Sequence, residues 1–170
     1  MTPVYQTIIG RGDGNGPLGN CMQAVIASLL DLPLEEVPHF LLWGNRWYLC
    51  FEEFLLSKGY EDYGYIWNNY RVGHIGEDEL RGIKSLPLEN CGVKGYFYAA
   101  VYSPGFFNAE EFCENPFLSP THAVIIDNKF NIVHDPNPNY KIGETKYPFS
   151  NCMGGYNGVI GIHMISNLYE

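Results

Sequence analysis

Apolar residues recur with a helical period early in this chain and with a strand period later. Met22, Val25, Ile26, Leu29 and Leu30 follow i, i+3, i+4, i+7, i+8 spacing, one face of an α-helix. Ala24 and Ala27 make the other side small and apolar, which predicts a central helix buried almost all round. Asn20 is a suitable N-cap, Asn20 and Gln23 have capping-box spacing, and Pro33 is the predicted stop. A second helix is predicted from Arg46 to Lys58, with Trp47, Cys50, Phe51, Phe54 and Leu55 on one face and Gly59 ending it.

Four later stretches, Tyr96 to Tyr102, Thr121 to Ile126, Asn131 to His134 and Gly158 to Ile165, are rich in β-branched and aromatic residues and read as strands. Pro3 to Ile9 reads as a short edge strand. Glu61 to Leu88 carries no clear period and reads mostly as loop, with a short helix near Glu77 to Gly82. Helices first and strands later predict an α+β domain with an antiparallel sheet. The chain has no repeat and no linker-like tract, so one domain over 1–170 is expected.

Composition narrows the function classes. The chain is 46% hydrophobic and 15% aromatic, a globular composition long enough to bury a core without staples. Net charge is −9, which repels a phosphate backbone and argues against nucleic acid as a partner. No apolar run reaches membrane-spanning length, and the first residues lack the basic end and long apolar stretch of a signal peptide. A cytoplasmic protein without a membrane partner is the expectation; oligomeric state is left open.

Five cysteines (Cys21, Cys50, Cys91, Cys113, Cys152) are widely and irregularly spaced, with no CxxC pair, and no HExxH is present. No metal site and no cofactor are therefore expected. The glycine-rich loop from Gly10 to Pro17 lacks the Lys-Ser/Thr ending of a phosphate loop. Most of the cysteines are expected to pack as small hydrophobes. Cys21 differs because it follows the predicted cap directly, where unpaired N–H groups and the helix dipole favour a thiolate.

A thiolate nucleophile needs a base. Thr121 to Ile126 and Asn131 to His134 flank a short polar turn and read as a β-hairpin. A symmetric loop centred between Asn128 and Lys129 sets His122 directly opposite Asp135 on one face, with His134 on the other. A carboxylate beside an imidazole fixes its tautomer and supports the imidazolium. His39 reads as a surface residue and His163 as a satisfied core residue.

The blocks GNCMQAVIASLLDLPLEEVPHF, THAVII and VHDPNP resemble small phage and bacterial proteins of the papain-like cysteine peptidase superfamily, and are most similar to the branch that includes double-glycine leader peptidases. That branch has a cysteine opening a central helix, a histidine opening a strand, and an aspartate of an Asp-Pro pair ending the next. The resemblance implies a papain-like fold, with the central N-terminal helix packed on an antiparallel sheet. It also implies Cys21 as nucleophile, His122 as base and Asp135 as orienter, acting on a peptide or protein substrate without a cofactor. Such enzymes use an amide ahead of the cysteine to complete the oxyanion hole. Gln6 is the better candidate by chemistry, and Asn15 the alternative by spacing. Three functions are compatible with these residues: a peptidase or isopeptidase, a deamidase or transglutaminase-like acyl transferase, and a non-catalytic binding protein retaining the fold.

Overall fold

The computed structural model describes residues 1–10, 16–67, 92–103, 121–129, 131–145 and 159–169. Among them the fold is α+β: two α-helices, α1 (Cys21–Leu29) and α2 (Trp47–Ser57), and five strands, β1 (Tyr60–Trp67), β2 (Tyr96–Tyr102), β3 (Thr121–Asp127), β4 (Ile132–His134) and β5 (Val159–Asn167). The strands form one sheet in the order β1-β5-β2-β3-β4, with every pairing antiparallel. No helix among the described residues is long and apolar enough to cross a membrane.

Period-2 alternation divides the sheet's apolar residues between two faces. Tyr98, Ala123, Ile125 and Ile165 join Val25, Ile26 and Leu29 of α1 and Phe51 and Leu55 of α2 in one buried cluster. Phe97, Ala99, Val101, Val124, Ile126 and Ile162 form a second cluster from the alternate positions. Helix α1 packs on β3 and β2, and its residues Ala24 to Leu29 are all buried, as an all-round apolar helix requires. It ends before Pro33. Asp31 adopts φ 54° and Leu32 N–H returns to the Ala27 carbonyl at 2.9 Å, a C-terminal closure made by the chain itself.

Three expectations are corrected. Pro3–Ile9 is no strand: its amides bond to Ser28 Oγ (from Val4, 2.8 Å), Asn20 Oδ1 (from Thr7 and Ile8, 3.1 and 2.8 Å) and the Pro136 carbonyl (from Gln6, 2.9 Å). The segment is thereby tied to α1 and to the turn after β4. Second, the start of the Glu61–Leu88 stretch is strand β1, paired with β5; its two acidic residues and a register shift between Asp62 and Tyr65 interrupt the alternation that would reveal it. The proposed helix near Glu77–Gly82 lies outside the described residues. Third, the β3–β4 register differs: Ile125 opposes His134 and Ile126 opposes Ile132, with an irregularity between them. The Asp127 carboxylate accepts the N–H groups of Lys129 and Asn131 at 2.8 and 2.9 Å, and Asp127 N–H closes on the Asn131 carbonyl at 3.0 Å. This centres the loop on Lys129 and moves Asp135 off the position directly opposite His122.

Candidate active site

Cys21 is the first residue of α1. Asn20 occupies the N-cap position, yet its side chain caps nothing. Oδ1 accepts the Thr7 and Ile8 amides, while Nδ2 donates to Thr7 Oγ1 (3.2 Å) and Gln23 Oε1 (3.0 Å). The capping box predicted from spacing is absent; Gln23 instead sends Nε2 to the Leu34 and Val37 carbonyls at 3.0 and 2.7 Å. Asn20 thus leaves the first-turn amides of α1 uncapped, and the Met22 N–H bonds the Cys21 sulfur.

A second backbone donor comes from the sheet. Odd-numbered residues of β3 turn toward β4, as the Ile125 pairing and the Asp127 N–H bond show. Strand β4 is three residues long and its ladder ends at His134, so it does not reach the Ala123 N–H, which Cys21 Sγ accepts. The short strand leaves room for the helix end at the sheet edge.

His122 supplies the third donor. Its Nε2 lies 2.7 Å from Asp135 Oδ1, which leaves Nδ1 as the nitrogen for the Cys21 sulfur. Burial opposes the cationic ring. The Asp135 and Cys21 bonds and charges outweigh burial, pushing His122 up to about 9. Burial likewise raises the Cys21 thiol, but the His122 bond and charge, then the Ala123 and Met22 amides, bring it below its ordinary value. Both shifts favour moving the Cys21 proton onto His122.

Asp135 is held as firmly as the ring it holds. Its side chain is 1% exposed, and Oδ1 also accepts Asn137 N–H at 2.7 Å, an Asx turn across Pro136. Asn137 continues the turn, accepting Tyr140 N–H on its carbonyl at 3.0 Å. The Tyr140 ring stands edge-on to His122, centroids 5.8 Å apart at 89°. His134 goes elsewhere: its Nε2 bonds the Val4 carbonyl at 2.9 Å and its ring packs against Tyr5. His39 Nε2 bonds the Leu18 carbonyl at 3.1 Å.

Gln6 is buried between these parts. Its backbone is bonded to Pro136, its neighbours Thr7 and Ile8 are bonded to Asn20, and its Nε2 donates to the Ile8 carbonyl at 3.3 Å. Its Oε1 is buried without a hydrogen bond. Asn15 lies outside the described residues, as do Cys91, Cys113 and Cys152. Cys50, on α2, is half-buried, and burial together with the Glu53 charge pushes its thiol up, opposite to Cys21.

Sequence reasoning missed a second buried imidazole–carboxylate pair. His163 Nδ1 lies 2.8 Å from Asp62 Oδ2, with the side chains 3% and 0% exposed. Tyr48 O–H donates to the same oxygen at 3.2 Å; burial and then the Asp62 charge push this phenol up to about 12, so it stays a donor. The two residues are joined across the β1–β5 pairing, and the aromatic alternation Tyr63, Tyr65, Trp67 is the one signal of β1 in the sequence. His163 and Cys21 both line a cavity of about 370 Å³, with His122, Leu41, Trp47 and Tyr98 among its other walls. No group of three His, Cys, Asp or Glu side chains among the described residues is arranged to hold a metal ion.

No family model matches this chain, and neither a curated protein nor a solved structure matches it.

Proposed function

We propose that the chain is a papain-like cysteine hydrolase that cleaves a peptide or isopeptide bond through a thioester acyl-enzyme. One observation carries this reading: the Cys21 sulfur receives His122, Ala123 and Met22 as donors at an uncapped helix start, with His122 Nε2 2.7 Å from a buried Asp135. A packing cysteine has no use for three donors; a thiolate does. The order of parts also agrees with the papain-like arrangement. Cys21 opens a central helix packed on an antiparallel sheet, His122 stands near the start of β3, and Asp135 directly follows β4.

In this mechanism the Cys21 thiolate attacks the substrate carbonyl carbon, and the C=O electron pair moves to oxygen. The Cys21 N–H and the Gln6 amide are the donors proposed for that oxyanion. The hydrogen-bond chain from Gln6 to Pro136 and from Ile8 to Asn20 supports this choice, because it holds Gln6 between the nucleophile and the orienter. His122 then gives its proton to the departing amine as the C–N bond breaks, leaving a thioester. Neutral His122 takes a proton from water, whose oxygen attacks the thioester carbonyl; the acid leaves and the thiolate–imidazolium pair is restored. Asp135 keeps the imidazole in the tautomer that each step requires.

The test is intact-mass labelling with a peptide vinyl sulfone, to which a thiolate adds at the β-carbon while the α-carbon takes a proton. One adduct mapping to Cys21 is expected, and none in Cys21→Ala. An adduct on another cysteine, or none on the wild type, contradicts the reading.

A further inference from the structure

The His163–Asp62 pair shares its chemistry with His122–Asp135, faces the same cavity, and has no part in the mechanism above. Its surroundings say what it does. The carboxylate is shared with the Tyr48 phenol at 3.2 Å, and the imidazole lies flat on Tyr98, centroids 4.5 Å apart at 8°. Phe51 stands edge-on to the same ring at 5.3 Å, and Trp47 at 6.5 Å. The ring is therefore fixed in its plane from three sides, by bonds to groups that are themselves buried or packed. A fixed ring is a wall.

The cavity behind Cys21 fits a wall of this kind. Its volume, about 370 Å³, lies toward the small end of ligand-sized cavities, roughly 300–1,000 Å³. Cys21 and His122 are already paired with each other, and the described residues lining the cavity include no Asp, Glu, Lys or Arg, so a charged group entering it loses water and gains no unpaired counter-ion. A negative group also meets the Asp62 carboxylate behind His163. Trp47, Tyr48 and Tyr98 add flat aromatic surface to the walls, and such surfaces favour a planar guest by edge-to-face and offset contact.

From these observations we infer that His163 is a specificity-determining residue. Locked by Asp62 and stacked on Tyr98, it forms one wall of a pocket that takes an uncharged aromatic side chain of the substrate beside the Cys21 sulfur. This rests on the cysteine-hydrolase reading and adds the substrate class to it.

The experiment uses four iodoacetamides, bearing hydrogen, phenethyl, 2-cyclohexylethyl or carboxymethyl on nitrogen. In each, the Cys21 thiolate displaces iodide at the CH₂ carbon: the C–S bond forms and iodide leaves with the C–I electron pair. Rates at Cys21, read by mass mapping, are divided by the rates of the same reagents with glutathione. The phenethyl reagent is expected to exceed the cyclohexylethyl one by about twofold to tenfold, and the carboxymethyl one by on the order of tenfold or more.

Two variants locate the effect. Leu41→Trp fills the cavity from its rim and should bring the ratio of phenethyl to plain reagent down to the glutathione value. The double variant D62N/H163L removes the buried charge together with its partner and keeps an acceptor for Tyr48. It should bring the phenethyl-to-cyclohexylethyl ratio toward one. Should the double variant fail to fold, Leu41→Trp alone decides whether the cavity receives the ring. A Cys21 that leads Cys50 toward the plain reagent yet shows no preference among the four overturns this proposal alone. A Cys21 that lags Cys50 toward the plain reagent overturns the hydrolase reading beneath it.

Discussion

The two histidine–carboxylate pairs are nearly identical as pairs and opposite in what surrounds them. Nitrogen–oxygen distances are 2.7 Å for His122–Asp135 and 2.8 Å for His163–Asp62, and all four side chains are buried. At the sheet edge, the second nitrogen of His122 meets a thiol that two backbone amides also address. In the sheet interior, where β5 runs between β1 and β2, the His163 ring is packed against aromatic rings and its carboxylate is occupied by a phenol. An imidazole held by a carboxylate is thus a general device for fixing a ring, and chemistry enters only where a nucleophile completes it. The short strand β4 makes the difference, because it opens the sheet edge that the start of α1 fills.

The widest separation between the pairs is expected in reactivity. His122→Ala should slow Cys21 alkylation at pH 6–7 by on the order of 10²–10⁴, because the His122 bond and charge go while the burial that raises the thiol stays, opposed only by the Ala123 and Met22 amides. His163→Ala should leave Cys21 far less affected toward plain iodoacetamide. Comparable losses in both, measured by mass-mapped labelling, would erase the distinction.

Stability should rank the pairs the other way. Asp62→Ala removes the buried carboxylate that both His163 and Tyr48 bond and should cost about 3–5 kcal/mol in urea unfolding. Asp135→Ala should cost less, because His122 keeps its bond to Cys21 and the turn after β4 lies at the sheet edge.

Gln6 tests the edge site more finely. Gln6→Ala keeps the backbone bond to Pro136 and should lower acylation by p-nitrophenyl acetate about a hundredfold, near 3 kcal/mol. An unchanged acylation rate would remove Gln6 from the oxyanion site. Asn20→Ala leaves the Thr7 and Ile8 amides without their acceptor and should cost about 1–3 kcal/mol of stability in thermal unfolding.

The smallest effect lies in the pH dependence of stability. The raised His122 contributes stability that is complete below 6.5 and is lost as pH rises through about 9. The lowered Cys21 contributes stability that is complete above 9.0 and is lost as pH falls through its folded value. Where both shifts operate, the unfolded chain holds the proton on Cys21 and the folded chain holds it on His122, so the slopes cancel. Unfolding free energy should be nearly flat between the folded value of Cys21 and about 9, whereas in Cys21→Ala the histidine, still held by Asp135, should make stability decline over that range.

The same contrast explains what was legible in the sequence. His122 and Asp135 are 13 residues apart in one hairpin, so strand patterning alone brought them together. The exact register was not legible, because it depends on the Asp127 carboxylate organising the loop. His163 and Asp62 are 101 residues apart, and their meeting depends on β1, whose acidic residues and register shift hid it. Both helices could be read from their period, α2 starting and ending within one residue of the expected limits. The role of Asn20 could not: a residue suited to cap a helix bonds instead to a segment 13 residues earlier, and no local pattern records that choice.

The central claim is that Cys21 is held as a thiolate by His122, and the pH profile of its alkylation by iodoacetamide tests this most directly, with Cys50 as the internal reference. Cys21 should already react at pH 6–7, on a plateau reached below its ordinary value of 9.0, while Cys50 reacts only as pH climbs past that value. His122→Ala should move the Cys21 profile to the alkaline side. A Cys21 rate that rises in a single step near 9, alongside or after Cys50 and unmoved by His122→Ala, would contradict the account.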